Sequence, residues 1–471
     1  MSSLSGPIEG DPKLISTFFD LGALGYVAEE YFLSGDARSY ETAGETGDDG
    51  RWQARESGRA PFTTRMVVYR PADPAAFNGS VVLEWLNVTA GADAPAGWLT
   101  THRHLLRAGF AWIGVSVQRV SVEGGGILTT GSARDDAHPP IVLPALKQSD
   151  AGRYAALAHP GDAFALDIFT QAGAAARRPG GSGVLGPLTA SRVLAMGQSQ
   201  SAAYLVTYVN AIAPIADGFD GYLIHGRPGR PAHLAGWRHE ALAGGVRVRT
   251  DGAAPILVLQ SETDVFGVLA SLGSRQPDDD RLRLWEVAGA AHADTYTMAG
   301  AFSDSGGLSA GELATLLAPK TAPLGVAYEA PINSGPQQHY VAQAALAALD
   351  RWAREGAPPP VADRLFRDPD DPSAPRLDRH GIATGGVRTP WVDVPVAVLS
   401  GLGQERSPRP AMLFGSTHPF DAATLAALYP SGPADYCAAF QASAERTVAA
   451  GFLLAEDLEE IVALAAASFP G

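Results

Sequence analysis

Short runs of Val, Ile and Leu alternate with helix-length amphipathic stretches through the middle of the chain, and this alternation restricts the fold most. The runs are Arg65–Arg70, Ser80–Leu86, Ala111–Gln118, Arg192–Met196, Gly221–Ile224, Pro255–Gln260 and Leu282–Val287. Gly, Pro or Asp bounds most of them, and most are apolar enough to be buried on both faces, as central strands of a parallel sheet are. Between them, Trp98–Phe110 places Trp98, Leu105, Leu106 and Phe110 near one helical face. Asp162–Arg177, Ala202–Ala213 and His339–Arg354 are further helices, the last stopped by Gly356 and three prolines. Strand, helix, strand in this order predicts an α/β protein: a mostly parallel central sheet flanked by helices.

Three long connections interrupt the rhythm, Ser121–Gly161, Arg227–Ala254 and Ala301–Gln338. Loops of that length are usually functional, and these are expected to be lid-like. After Pro360 the rhythm stops. A Pro-rich stretch leads to Gly385–Leu399 and then to two helical segments, Ala434–Ala450 and Glu456–Ala467, too apolar to be a free linker. Residues 1–471 are therefore expected to form one domain, with a catalytic core over about 60–360. A lead-in, 1–59, and an extension, 361–471, would pack on that core.

Composition excludes several classes. Hydrophobic residues at 46% supply a large core, and the net charge of −15 argues against a nucleic-acid partner, which needs clustered Lys and Arg. The single cysteine, Cys437, excludes an internal disulfide and a Cys-based zinc site. No run of 18 apolar residues occurs; Arg192–Ala216 comes nearest and carries Gln, Ser and Asn in its middle. The first residues lack a basic segment followed by an apolar one, so a cytoplasmic protein without a membrane span is expected, and the sequons at Asn78 and Asn87 are chance matches.

The segment Arg192–Asn210 reads as strand, then Gly197-Gln198-Ser199-Gln200-Ser201, then amphipathic helix. This is the G-x-S-x-G pattern with Ser at the last position. Small residues two before and two after a nucleophile let the chain turn sharply from strand to helix and expose the hydroxyl. The helix N-terminus favours negative charge, and the amide of Gln200 is placed to bind an oxyanion. Gly307-Leu-Ser309-Ala-Gly311 matches the literal motif but follows a polar loop; Ser309 with Glu312 reads instead as a capping box.

A serine nucleophile needs a base and an orienting acid, in chain order Ser, acid, His. PILVLQ is followed by Ser261-Glu262-Thr263-Asp264, and LRLWEV by Ala288-Gly289-Ala290-Ala291-His292. Asp264, about four residues past its strand, is favoured as the acid over Glu262, whose other reading is a buried ion pair with an arginine. His292 follows the last strand of the βα pattern in a Gly- and Ala-rich loop. Its rivals His102, His104, His225 and His339 read better as structural. The second oxyanion donor falls after SVVLEWL, at the amide of Val88 or Thr89, with Val88 preferred. Glu84 is expected to be paired rather than catalytic, and Arg227 and Arg230 to be solvated. Gly181-Ser-Gly183-Val-Leu-Gly186 precedes a strand instead of following one, which excludes dinucleotide binding.

With these residues assembled, the chain resembles the α/β-hydrolase superfamily, and within it a bacterial family of long α/β-hydrolases with G-x-S-Q-S at the elbow. The matching stretches are GYVAEEYFLSGDA, VVLEWLNVTAG, HPGDAFALDIF, GQSQSA, SETDV, WEVAGAAHADTY, INSGPQQHY, LDRWAREGAPPP and GGVRTPWVDVPVA, from Gly25 into the extension. The resemblance implies a serine hydrolase of carboxylic esters with Ser199, His292 and an acid in SETDV as triad. No cofactor or metal is implied, and the partner is a small-molecule ester. An amidase, peptidase or acyltransferase with the same triad remains open, as does a silent binding protein of the same fold.

Overall fold

The computed structural model describes residues 2–125, 143–179, 181, 183–216, 218–236, 245–322, 327–407 and 409–470. Parts of the three long connections (126–142, 237–244 and 323–326) lie outside the described residues, as does Ser182 of the glycine-rich motif.

The strands are β1 (Ser3–Ser5), β2 (Tyr26–Thr42), β3 (Ala54–Pro71), β4 (Ser80–Trp85), β5 (Ala111–Val115), β6 (Arg192–Gln198), β7 (Gly221–His225), β8 (Ile256–Ser261), β9 (Leu282–Val287), β10 (Ala397–Ser400) and β11 (Ser416–Pro419). The first nine form one sheet in the order β1-β2-β3-β5-β4-β6-β7-β8-β9. From β5 to β9 all pairings are parallel, whereas β1, β2 and β3 join antiparallel. Every run read as a strand lies in this sheet.

The lead-in is more than expected. Residues 1–59 supply β1, β2 and the start of β3, so the sheet begins well before residue 60. β2 and β3 are 17 and 18 residues long and pair along their whole length around one bulge. Their charges hide them in sequence. Glu29, Glu30, Arg65 and Arg70 replace the usual Val and Ile, and they pair with one another across the strands: Glu29 with Arg70 at 3.0 Å and Glu30 with Arg65 at 3.5 Å.

The helices are α1 (Ala96–Arg107), α2 (Arg119–Glu123), α3 (Leu146–Ser149), α4 (Ala165–Ala176), α5 (Gln200–Thr207), α6 (Glu262–Phe266), α7 (Ala310–Leu317), α8 (Gln337–Glu355), α9 (Pro390–Asp393), α10 (Ala422–Leu428), α11 (Pro433–Ala449) and α12 (Leu458–Ser468). Alternation along each strand feeds two cores. Val81, Leu83 and Trp85 of β4 face α4 and α5, with Leu166, Phe169 and Leu205. Val82 and Leu86 face α1 and α8, with Trp98, Leu105, Val341 and Leu346.

Glu84 falls on this second face. It accepts from the Gly97 and Trp98 amides at 2.7 and 2.8 Å and from Trp112 Nε1 at 2.9 Å, capping the start of α1. Burial pushes its carboxyl up to about 7. It is paired, as expected, though with N–H groups rather than a cation.

The extension packs on the core. Tyr436 and Phe440 of α11 and Ile461 and Leu464 of α12 join the second core. Glu460 and Asp457 bind Arg103 and Arg107 of α1 at 2.9 and 2.6 Å. Val387 bridges the outer side of β9, where its amide donates to Glu286 O at 2.6 Å, so that edge does not end bare. Among the described residues no helix is long and apolar enough to cross a membrane.

Candidate active site

β4 lies between β5 and β6 although it precedes both in the chain, so the connection leaving β4 runs toward β5 while the one leaving its neighbour β6 runs the opposite way, toward β7. Such a switch point opens a crevice at the strand ends. Ser199 follows β6 and Val88 follows β4, on either side of it.

Ser199 sits at φ 64° and ψ −121°, between the strand and α5. Among described non-glycine residues only Ala270 shares a positive φ. Strain of this kind costs about 1–3 kcal/mol and persists only where its surroundings impose it. The Ser199 amide donates to His225 O at 2.9 Å, and its carbonyl accepts from Ala203 at 3.2 Å. A Cβ at Gly197 would lie 3.0 Å from the Ser201 backbone and 3.1 Å from Leu205, so the turn requires the glycine. Ser199 is partly exposed, whereas Gln198, Gln200 and Ser201 are buried.

Gln200 is the first residue of α5, where a backbone N–H has no intrahelical acceptor. Across the crevice, the Thr89 amide is taken by Asn87 Oδ1 at 2.8 Å. Among the described residues the Val88 amide has no acceptor. Asn87 Nδ2 donates to Gln198 O at 3.1 Å, tying this loop to the strand that carries Ser199.

His292 Nδ1 lies 2.6 Å from Asp264 Oδ1. Asp264 is fully buried, and its other oxygen accepts the Ser261 amide at 2.6 Å. The His292 amide donates to Thr263 Oγ1 at 3.1 Å, and its carbonyl accepts from Gln338 Nε2 at 3.2 Å. Gly226, at φ 60°, lies flat against the pair. A Cβ there would stand 3.0 Å from His292 Cε1 and Nδ1 and 3.5 Å from Asp264 Oδ2. Ser199 and the His292–Asp264 pair are thus held against one dipeptide, His225–Gly226.

Residues 4–463 match the family described as alpha/beta hydrolase domain. The chain belongs to that family. No curated relative matches. Among solved structures, this chain is similar to a thermostable esterase from Pseudomonas putida, at 13% identity, 55% of this chain, 71% of that chain and TM-score 0.26. It is also similar to a glucuronoyl esterase from Solibacter usitatus, at 10%, 61%, 82% and 0.29. Fungal esterases from Rhizomucor miehei stand at 11%, 59%, 85% and 0.29. Likenesses this low say nothing of substrate.

The shell around the pair differs from expectation at Glu262. No arginine pairs with it among the described residues. It accepts instead from the amides of Gly289 and Gly401, the latter at 2.8 Å, and from Ser400 Oγ at 3.1 Å. Burial pushes it up to about 7. Glu262 therefore joins α6, the loop before His292 and the extension. Asn333 Nδ2 repeats the link, donating to Gly289 O at 2.8 Å and Ser400 O at 2.9 Å, and Ala293 donates to Leu413 O at 2.9 Å. These contributions of the extension join residues far apart in the chain, and no local pattern announces them.

The other candidates are structural. Ser309 Oγ accepts from the Glu312 amide at 3.3 Å, and the Ser309 amide donates to Glu312 Oε2 at 2.8 Å: an exposed capping box. His102 Nε2 meets Asp304 O at 2.7 Å, and His339 Nδ1 meets Thr100 O at 2.9 Å. His225 Nε2 meets Gln338 Nε2 at 3.2 Å, and burial pulls this imidazole down to about 4. Arg230 is exposed, but the expectation that Arg227 is solvated fails, because its side chain turns inward beneath β7 and β8 and is only 2% exposed. Gly226 was not singled out in the sequence, although a glycine ending GYLIHG after a strand is its visible signal.

Proposed function

We propose that the protein is a serine esterase that cleaves small carboxylic esters through an acyl-enzyme. One observation carries this reading: a partly exposed serine in a strained strand-to-helix turn shares its backbone support with a buried histidine–carboxylate pair. Ser199 Oγ attacks the ester carbonyl while His292 Nε2 takes its proton. Asp264, on Nδ1, holds the ring in the required tautomer and stabilises the imidazolium. The Gln200 and Val88 amides receive the oxyanion. The tetrahedral adduct collapses, His292 returns the proton to the departing alkoxide, and the alcohol leaves. Water, deprotonated by His292, then hydrolyses the acyl-Ser199 ester and releases the acid.

Ser199→Ala should lower hydrolysis of a short-chain p-nitrophenyl ester by about 10⁴-fold or more. A fluorophosphonate should label Ser199 in the unmodified protein. Retained activity in the variant, or a label on Ser309, would overturn the reading.

A further inference from the structure

Arg227 follows Gly226 at the end of β7, and its guanidinium is turned into the protein. Nε donates to Pro228 O at 3.1 Å, and Nη2 reaches Gly229 O, Val246 O and Ser274 Oγ at 3.5, 2.9 and 3.2 Å. These are neutral acceptors. Among the described residues no carboxylate pairs with Arg227, and Nη1 has no acceptor. Burial alone pulls the group down to about 10, so it remains a cation at neutral pH. An isolated buried charge is unfavourable unless a counter-charge or strong dipoles compensate it.

A cavity of about 20 Å³ lies beside it, lined also by Gln260, Ser271, Val258 and Leu284. Arg275 and Glu286 share the wall but neutralise each other through two contacts of 2.7 Å. Among the described residues the net charge facing the cavity is therefore that of Arg227. The Ser271 hydroxyl accepts from Gln260 Nε2 at 2.7 Å, and its own proton has no acceptor among the described residues. The space is on the scale that one water or one monatomic ion occupies.

We propose that this cavity is a halide site, in which one chloride-sized anion is held by the Arg227 guanidinium and the Ser271 hydroxyl. Its lining residue Arg227 directly follows Gly226, which abuts His292. The Arg227 amide donates to Gln260 Oε1 at 2.8 Å, and Gln260 Nε2 returns to Arg227 O at 2.9 Å. A bound anion thus steadies the ends of β7 and β8 that carry Gly226 and Asp264. The site stands whether or not the protein is an esterase.

The test is thermal melting in sodium chloride against sodium gluconate at equal ionic strength, with the unmodified protein and Arg227→Met. Chloride should raise Tm saturably, by about 1.5 °C at tenfold above half-saturation, and the variant should lose that difference. Equal Tm in the two salts would overturn the site, since the cavity would then hold water. A chloride effect that persists in Arg227→Met would also overturn it. If the variant does not fold, crystals of the unmodified protein in sodium bromide decide: an anomalous peak in the cavity supports the site, and its absence overturns it.

Discussion

The Ser199 amide donates to the His225 carbonyl across 2.9 Å, and the next residue, Gly226, is the surface on which the His292 ring rests. The His225–Gly226 backbone, at and just past the end of β7, thereby touches both the serine's turn and the imidazole, and through them bears on their spacing. Gly226→Ala should disturb that spacing, since the added methyl meets His292 at 3.0 Å and the residue sits at φ 60°. A fall in kcat of about 10²-fold is expected, with stability lower by about 1–3 kcal/mol. Steady-state kinetics beside urea unfolding measures both, and an unchanged kcat would mean that Gly226 does not position the ring.

Asp264 and Glu262 are separable by their contacts. Asp264→Asn removes the charge beside His292 Nδ1 and should lower kcat by about 10³–10⁴-fold with the fold retained. Glu262→Gln should leave kcat within about tenfold. It sets an NH₂ group against the Gly289, Gly401 and Ser400 donors and should cost about 2–3 kcal/mol of stability. The opposite pattern of kcat and Tm would exchange their roles.

Ser199→Gly tests the strain at φ 64°. Glycine accepts positive φ freely, so the variant should be inactive yet more stable than Ser199→Ala by about 1 kcal/mol. Equal unfolding midpoints would mean that the turn stores no strain.

Glu84 gives a pH signature. Its folded pKa is raised from 4.5 to about 7. Between these values the unfolded chain has released the proton and the folded chain still holds it, so stability falls as pH rises. The fall is about 1.4 kcal/mol per pH unit and levels off above about 7. Glu84→Gln removes this share. Its stability relative to the unmodified protein should improve by about 2–3 kcal/mol from pH 5 to pH 8. A difference independent of pH, measured by urea unfolding, would contradict the burial argument.

The central strands, the elbow at Ser199 and the order of acid and histidine were legible because each is a local pattern: apolar runs, a small-residue turn, a polar residue just past a strand. β2 was not legible, because Glu29 and Glu30 are acceptable in a strand only when Arg70 and Arg65 of β3 reach them diagonally, two positions from their register partners Val68 and Val67. Arg227 misled for a related reason. An arginine in a Gly- and Pro-rich loop reads as solvated, and its burial follows from carbonyls supplied by Val246 and Gly229.

The chain's own pattern thus determined a parallel α/β sheet and the strand ends that Ser199, Asp264 and His292 follow, since period, turn chemistry and strand polarity are properties of neighbouring residues. Tertiary structure alone decided the rest. It chose Asp264 over Glu262 as the neighbour of His292, set the His225–Gly226 backbone against both serine and histidine, and bound the extension to the loop that carries the imidazole. Those relationships are contacts between residues far apart in sequence, fixed by packing and by the need of each buried donor and acceptor for a partner.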